Sequence, residues 1–104
     1  MTRTKILAEI KEVARIHISD AEVMLFGSQA KGTNSTESDY DVLIITGNSY
    51  NPQRKLFLRT SIRKNLLEKG IRTDILVQSR SEIERKKKLP GHIIRNILKD
   101  SVLL

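Results

Sequence analysis

The sequence is poor in the residues on which secreted and membrane proteins depend. Its 104 residues include no cysteine, no tryptophan, two tyrosines and two phenylalanines. Disulfide bonds and thiolate metal sites are therefore excluded. No apolar run approaches the roughly 20 residues of a membrane-spanning helix, and the N-terminus continues into an amphipathic segment rather than a signal-peptide core. We expect a cytoplasmic protein that does not enter the membrane.

Acidic residues are outnumbered by basic ones. The chain has 19 lysines and arginines against 12 aspartates and glutamates, a formal net charge of +7. Such a surface attracts polyanions, including RNA, nucleotides or an acidic partner, but it is also typical of a solvated small domain. The basic run 85–88 contains no aromatic residue that would stack on bases, which favours a solvated face there. Charge alone leaves both interpretations open.

Hydrophobic periodicity predicts a single α/β domain over residues 1–104, with a small mixed β-sheet flanked by helices. Apolar residues at helical spacing predict helices over 4–18, 51–69 and 93–102, and a short helix over 28–32. Apolar runs predict strands over 22–26, 41–46 and 71–78. The segment Ser81–Glu84 matches a capping box, which predicts one more short helix.

Two acidic residues introduce the second predicted strand. Asp39 and Asp41 are two positions apart, and because side chains alternate along a strand, their carboxylates point to one face. Mg²⁺ binds one or two such carboxylates and completes its shell with waters and phosphate oxygens. At the end of the first strand, Gly27 permits a close backbone approach, and the amides that follow at Ser28 can hold phosphate. The stretch predicts a nucleoside-triphosphate site.

A third carboxylate, Asp74, lies within the third predicted strand. An unpaired charge in an apolar strand is costly, so Asp74 either pairs with a cation such as Arg72 or Arg80 or reaches a metal ion. The two other carboxylates favour the metal ion. Three neighbouring carboxylates raise one another's pKa values, and a divalent cation removes that cost.

Gly27-Ser28, ten intervening residues and Asp39-Tyr40-Asp41 together resemble the signature of the DNA polymerase β-like nucleotidyltransferase superfamily. Within it, the chain looks most like the minimal nucleotidyltransferases (MNT). The resemblance implies the polymerase β-like nucleotidyltransferase fold. It also implies that Asp39, Asp41 and Asp74 are the catalytic residues, that they hold two Mg²⁺ ions on the triphosphate of ATP, and that Asp74 acts as or positions the base for an incoming hydroxyl.

The resemblance assigns the remaining site residues to nucleotide binding. Gly27 and Ser28 would contact the β- and γ-phosphates, Lys31 would pair with phosphate, and Ser38 would cap or brace the loop before the acids. The common family form is Gly-Ser-Arg-Ala-Arg-Gly. Here Gln29 replaces the first arginine and Lys31 the second.

The partner that the resemblance implies is a HEPN-domain ribonuclease toxin, which would receive AMP on a tyrosine. About thirty residues follow Asp74, too few for an acceptor domain, so the acceptor would be another macromolecule. Two other functions stay open: a non-catalytic module that neutralises its partner by contact, consistent with Gln29, and a transferase or binding protein acting on RNA, consistent with the positive charge. The apolar face of the last helix suits an interface, although core packing is favoured.

Overall fold

The computed structural model describes residues 2–31 and 39–104, with residues 28 and 31 described by their backbone alone. No helix in these ranges is long and apolar enough to cross a membrane. The elements follow one another as α1 (Arg3–His17), β1 (Glu22–Phe26), α2 (Gly27–Lys31), β2 (Tyr40–Thr46), α3 (Pro52–Glu68), β3 (Thr73–Ser79), α4 (Arg80–Lys86), α5 (Ile93–Asp100) and β4 (Val102–Leu103).

The four strands form one mixed sheet in the order β3-β2-β1-β4. β1 and β2 are antiparallel, β2 and β3 are parallel, and β4 pairs antiparallel with β1. The parallel pair requires a crossover connection, and α3 supplies it. The predicted class, an α/β fold with a small mixed sheet flanked by helices, is confirmed.

Helices cover both faces of the sheet and divide the core in two. On one face, α1 and α3 bury Ile10, Val13, Leu58, Ile62 and Leu66 against the strands. On the other face, α4 and α5 bury Ile83, Ile94 and Ile97 against Leu43 and Ile45. Because both faces are covered, β2 is apolar along almost its whole length.

The two long helices begin and end close to the predicted positions. Asn51 caps α3 and its side chain accepts a hydrogen bond from the amide of Arg54 at 2.8 Å, with Pro52 in the first turn. Gly70 follows the helix with a φ of +80°, a conformation that glycine adopts without strain. Nε2 of His17 lies 2.7 Å from Nδ2 of Asn65, a hydrogen bond that joins α1 to α3.

Two predictions about the C-terminal region were wrong. The capping box lies two residues earlier than predicted, because Ser79 caps α4 and exchanges hydrogen bonds with Glu82. The last helix ends at Asp100, and Val102–Leu103 form a strand on β1, where the amide of Leu104 donates to the carbonyl of Val23 at 2.8 Å. The apolar end was assigned to the helix because its strand partner is distant in sequence.

The carboxylate of Glu82 also links α4 to α3. It accepts a hydrogen bond from Lys55 of α3 as well as from the amide of Ser79. Partial burial opposes ionisation of Glu82, but the hydrogen bonds from Lys55 and Ser79 outweigh it and lower its pKa to about 2. The contact fixes the short helix α4 to the rest of the domain.

The boundary of the core can be tested at two adjacent leucines of α3. Leu66 is fully buried, whereas Leu67 is 46% exposed. We expect Leu66→Ala to lower the free energy of unfolding by about 2–5 kcal/mol, because it leaves a cavity between α3 and the sheet. Leu67→Ala should lower it by less than about 1 kcal/mol. Urea denaturation followed by circular dichroism measures both values, and equal losses would contradict this core.

Candidate active site

Two carboxylates face each other across the parallel strand pair. Asp41 of β2 is in register with Asp74 of β3, and their neighbours Leu43 and Leu76 pack under α5. By the alternation of side chains, both carboxylates therefore project from the α5 face of the sheet. Asp39 lies directly before β2 and is exposed. The topology thus brings together three acids that the sequence separates by up to 35 residues (74 − 39).

Gly27 closes the other side of Asp41. Phe26 at the end of β1 pairs with Asp41, so the next residue turns directly beside the carboxylate. Gly27 has a φ of +71°, and a Cβ built on it would lie 2.3 Å from Oδ2 of Asp41. The sequence predicted that glycine here makes room for a ligand. The space that the structure shows beside Gly27 is taken by the Asp41 carboxylate.

Burial and neighbouring charge both act on Asp41. Burial raises the pKa of this carboxyl, and the negative charges of Asp74 and Asp39 raise it further. Among the ion pairs of the described residues, none involves Asp41 or Asp74. The site therefore holds uncompensated negative charge on rigid strands, which is the electrostatic condition for binding a cation.

The third acid is held differently. Oδ1 of Asp39 lies 3.8 Å from Nε of Arg72, and both side chains are more than half exposed. In the ranges that the structure describes, no three acidic, histidine or cysteine side chains are gathered closely enough to hold a metal ion by themselves. Asp41 and Asp74 form the compact part of the site, and Asp39 borders it.

The cost of an unpaired charge in an apolar strand led to the prediction that Asp74 pairs with a cation or reaches a metal ion, but its side chain is not buried. It is exposed, because β3 is an edge strand and Asp74 is only its second residue. The two cations considered as its partners make other contacts: Arg72 with Asp39 and Arg80 with Glu22. An exposed carboxylate on a strand edge remains accessible to an ion or a substrate.

Two clefts meet at these carboxylates. The first, the α3 cleft, has a volume of about 400 Å³ and lies between α3 and β3, with Asp39, Arg59, Thr60, Arg63, Thr73 and Asp74 among its lining residues. The second, the α5 cleft, has a volume of about 280 Å³, with Phe26, Asp41, Arg59, Asp74, Ile93 and Ile97 among its lining residues. The acids thus lie between a basic wall from α3 and an apolar wall from α5. The sequence analysis did not predict Arg59 or Arg63.

Gln29 of α2 has a structural environment that the sequence did not reveal. It is 3% exposed, and Arg3 donates hydrogen bonds both to its side-chain oxygen at 3.2 Å and to its backbone carbonyl. The guanidinium of Arg3 therefore lies beside the helix that lacks the family's first arginine. The predictions for the side chains of Ser28 and Lys31, and for Ser38, lie outside the described residues.

The donor set fits a hard divalent cation. Mg²⁺ prefers carboxylate oxygens, usually takes only one or two from the protein, and receives the rest from water and phosphate. Asp41 and Asp74 supply such a pair. The pKa of Asp41 is raised first by burial and then by neighbouring negative charges, which a cation would neutralise. Asp39 lies close enough to contribute to that charge.

The class of this domain follows from its match to a protein family. The model of the family "Nucleotidyltransferase domain" matches residues 5–104. The chain belongs to this family. No curated protein matches the sequence significantly.

Solved structures agree with this membership. A protein assigned as a nucleotidyltransferase has 27% sequence identity and a TM-score of 0.64, over 94% of this chain and 96% of that one. A protein assigned as a minimal nucleotidyltransferase has 21% identity and a TM-score of 0.64, over 100% of this chain and 97% of that one. A third structure is that of the tri-AMPylated HEPN toxin of Shewanella oneidensis in complex with MNT antitoxin. The TM-score is 0.63 at 12% identity, over 98% of this chain and 71% of the matched chain. The predicted resemblance to the minimal nucleotidyltransferases is confirmed.

The contact between Gly27 and Asp41 predicts an unusually costly glycine substitution. Gly27→Ala places a methyl group on the Asp41 carboxylate in addition to straining a positive φ. We expect it to lower the free energy of unfolding by at least about 1 kcal/mol more than backbone strain alone. Urea denaturation of the variant measures the loss.

Gly70→Ala is the matched control, because Gly70 has a φ of +80° and no atom within 4 Å of the added Cβ. This control measures the cost of a positive φ without the overlap between the added methyl group and a carboxylate. In an Asp41→Ala background, the extra loss at Gly27 should disappear. If Gly27→Ala and Gly70→Ala are equally destabilising in the wild-type background, the proposed collision is absent.

The pKa of Asp41 should depend on its neighbour. Asp74→Asn removes one negative charge and should shift the pKa of Asp41 down towards its ordinary value of 3.8, as measured by ¹³C NMR titration of the carboxyl carbon. Glu12→Gln, an exposed site on α1, should leave it unchanged. A pKa of Asp41 that does not respond to Asp74→Asn would contradict the coupling.

The sign of the pH effect on stability follows from the same shift. Because the folded-state pKa of Asp41 is raised, its penalty is absent below the ordinary value of 3.8 and fully present above the raised value. Asp41→Asn should therefore unfold at a higher temperature than the wild type at neutral pH. That advantage should shrink as the pH falls through the raised pKa towards 3.8 and should be lost below 3.8.

Proposed function

We propose that the protein transfers AMP from ATP to a hydroxyl group of a HEPN-domain partner protein and acts as the antitoxin of that partner. The observation that carries the proposal is the register of Asp41 with Asp74, which brings two carboxylates together on the rigid strands of a nucleotidyltransferase domain. Further support comes from the likeness in fold to an MNT antitoxin that was solved with an AMPylated HEPN toxin.

The three carboxylates are the proposed magnesium ligands. Asp41 and Asp74 would hold the ion on the sheet, and Asp39 would add charge at its exposed side. When bound, Mg²⁺ supplies neutralisation of the triphosphate charge and polarisation of the α-phosphate. Carboxylates are suited to this role, since their mutual repulsion favours cation binding.

Asp74 is the proposed base for the acceptor. Its carboxylate is exposed on an edge strand and lines both clefts, so a hydroxyl of a partner can approach it. The hydroxyl oxygen forms a bond to the α-phosphorus while the bond between that phosphorus and the oxygen leading to the β-phosphorus breaks. The hydroxyl proton passes to Asp74, and pyrophosphate leaves.

The phosphate-binding residues of the proposal are those of the family signature. Gly27 and Ser28 at the start of α2 would lie beside the β- and γ-phosphates, Lys31 would pair with phosphate, and Ser38 would brace the segment before Asp39. Gln29 does not weaken this assignment, because it is buried and holds the cation Arg3 against α2.

AMP transfer should depend on the facing carboxylates. With Mg²⁺, α-labelled ATP and the product of the adjacent gene as the partner, the wild type should label that partner. Asp41→Asn and Asp74→Asn should each reduce the initial rate by at least about 100-fold, as expected when one charged group is removed from a catalytic centre. Autoradiography of the separated proteins measures the rates.

Glu12→Gln serves as the control, since it makes the same carboxylate-to-amide change at an exposed position of α1. Its rate should match the wild type. A partner that stays unlabelled but is bound and silenced equally by the wild type and Asp41→Asn would refute AMP transfer and establish inhibition by contact. Label on RNA rather than on the partner would refute a protein acceptor.

A further inference from the structure

The α3 cleft contains two cations that the proposed chemistry does not use. Arg59 and Arg63 are one helical turn apart on α3, and both line this cleft. Among the described residues, neither forms an ion pair or donates a hydrogen bond, although two carboxylates line the same cleft. Like charges at this spacing repel each other on a helix, and an anion bound between them would relieve the repulsion.

The wall opposite α3 carries an unsatisfied polar group. Thr73, the first residue of β3, is 2% exposed, and its hydroxyl has no hydrogen-bond partner in the described part of the chain. Buried hydroxyl groups are nearly always hydrogen-bonded. Thr73 lines the same cleft as the two arginines, but its hydroxyl oxygen is fully buried, so the two arginines are the groups that a ligand there would contact.

The sheet order places this cleft away from the proposed phosphate side. Gly27 follows β1, which lies on one side of β2, while β3 and its cleft lie on the other. Asp41 and Asp74 stand between them. In the proposed function, on which this step rests, the triphosphate lies beside Gly27. The α3 cleft then opens on the side from which a hydroxyl group approaches Asp74.

We propose that the α3 cleft is the acceptor subsite, and that it takes an extended protein segment in which acidic residues flank the hydroxyl-bearing side chain. Arg59 and Arg63 pair with the acidic side chains, for which the guanidinium fork is well suited. β3 is an edge strand, and the backbone of such a strand can hydrogen-bond an extended peptide. Among the described residues that line the cleft, none is an aromatic on which RNA bases could stack, which favours a protein segment.

Peptide binding tests the subsite directly. The probes are two fluorescent peptides of equal length, one with a tyrosine flanked by glutamates and the other with a tyrosine flanked by glutamines. Both are titrated with the full chain, Mg²⁺ and an ATP analogue whose α- and β-phosphorus atoms are joined by carbon. We expect the wild type to bind the glutamate peptide about tenfold more tightly, with a preference that weakens as salt is added.

Two double variants identify the residues responsible. Arg59→Gln/Arg63→Gln should abolish the preference for the glutamate peptide and leave the affinity for the ATP analogue unchanged. Arg54→Gln/Lys64→Gln is the matched control: it removes two exposed charges from the same helix at positions that do not line the cleft. The control should keep the preference of the wild type.

Several results would overturn the subsite. Equal affinity of the wild type for the two peptides, or no binding of either, would do so. A loss of affinity for the ATP analogue in Arg59→Gln/Arg63→Gln would assign the arginines to the nucleotide. An oligouridylate that binds the wild type more tightly than the glutamate peptide, and loses that affinity in the same variant, would assign the cleft to RNA.

The subsite and the proposed function can fail separately, because the ATP analogue does not react. A wild type that prefers the glutamate peptide but transfers no AMP to the HEPN-domain protein retains the subsite and refutes the proposed function. A wild type that transfers AMP but shows no preference between the peptides retains the function and refutes the subsite.

Discussion

The repulsion between Asp41 and Asp74 is the interaction on which the site depends. It arises from the parallel register of β2 and β3, which sets the two carboxylates side by side whether or not a cation is present. Hydrogen bonds along both strands and the packing of α3 and α5 prevent the carboxylates from separating. Part of the folding energy of the domain is thus used to hold together charges that would otherwise move apart, which is a common property of functional sites.

The walls around the carboxylates differ in chemistry. Gly27 closes one side so tightly that an added Cβ would overlap the Asp41 carboxylate. α3 presents Arg59 and Arg63, and α5 presents Ile93 and Ile97. A ligand at the acids would therefore meet two cations in the α3 cleft, and apolar surface with Arg59 alone in the α5 cleft. Because the substrate groups of a transfer reaction differ in charge, such asymmetry can orient them before reaction.

Sequence reasoning located the acids but not their surroundings. Asp39, Asp41 and Gly27 belong to a local pattern with a chemical meaning, whereas the pairing of Asp41 with Asp74 follows from the parallel register of β2 and β3. Arg59 and Arg63 were not found, because α3 carries charged residues around much of its circumference and only the crossover between β2 and β3 shows which of them reach the site. The contact between Arg3 and Gln29 is likewise long-range. Val102 was assigned to the last helix, and the strand Val102–Leu103 was not predicted, because pairing with β1 leaves no local signal in two residues.

The apolar wall of α5 has a consequence for competition between protons and metal ions. Ile97 shares a cleft with Asp41, and partial burial is the main reason that this carboxyl holds its proton more tightly than usual. A more polar residue at position 97 would admit water, make ionisation easier, and let a cation displace the proton at lower pH. The metal dependence proposed for the domain would therefore be tuned from a helix that supplies none of the proposed ligands, and domains with identical acids would differ in the pH range over which they bind the proposed ion.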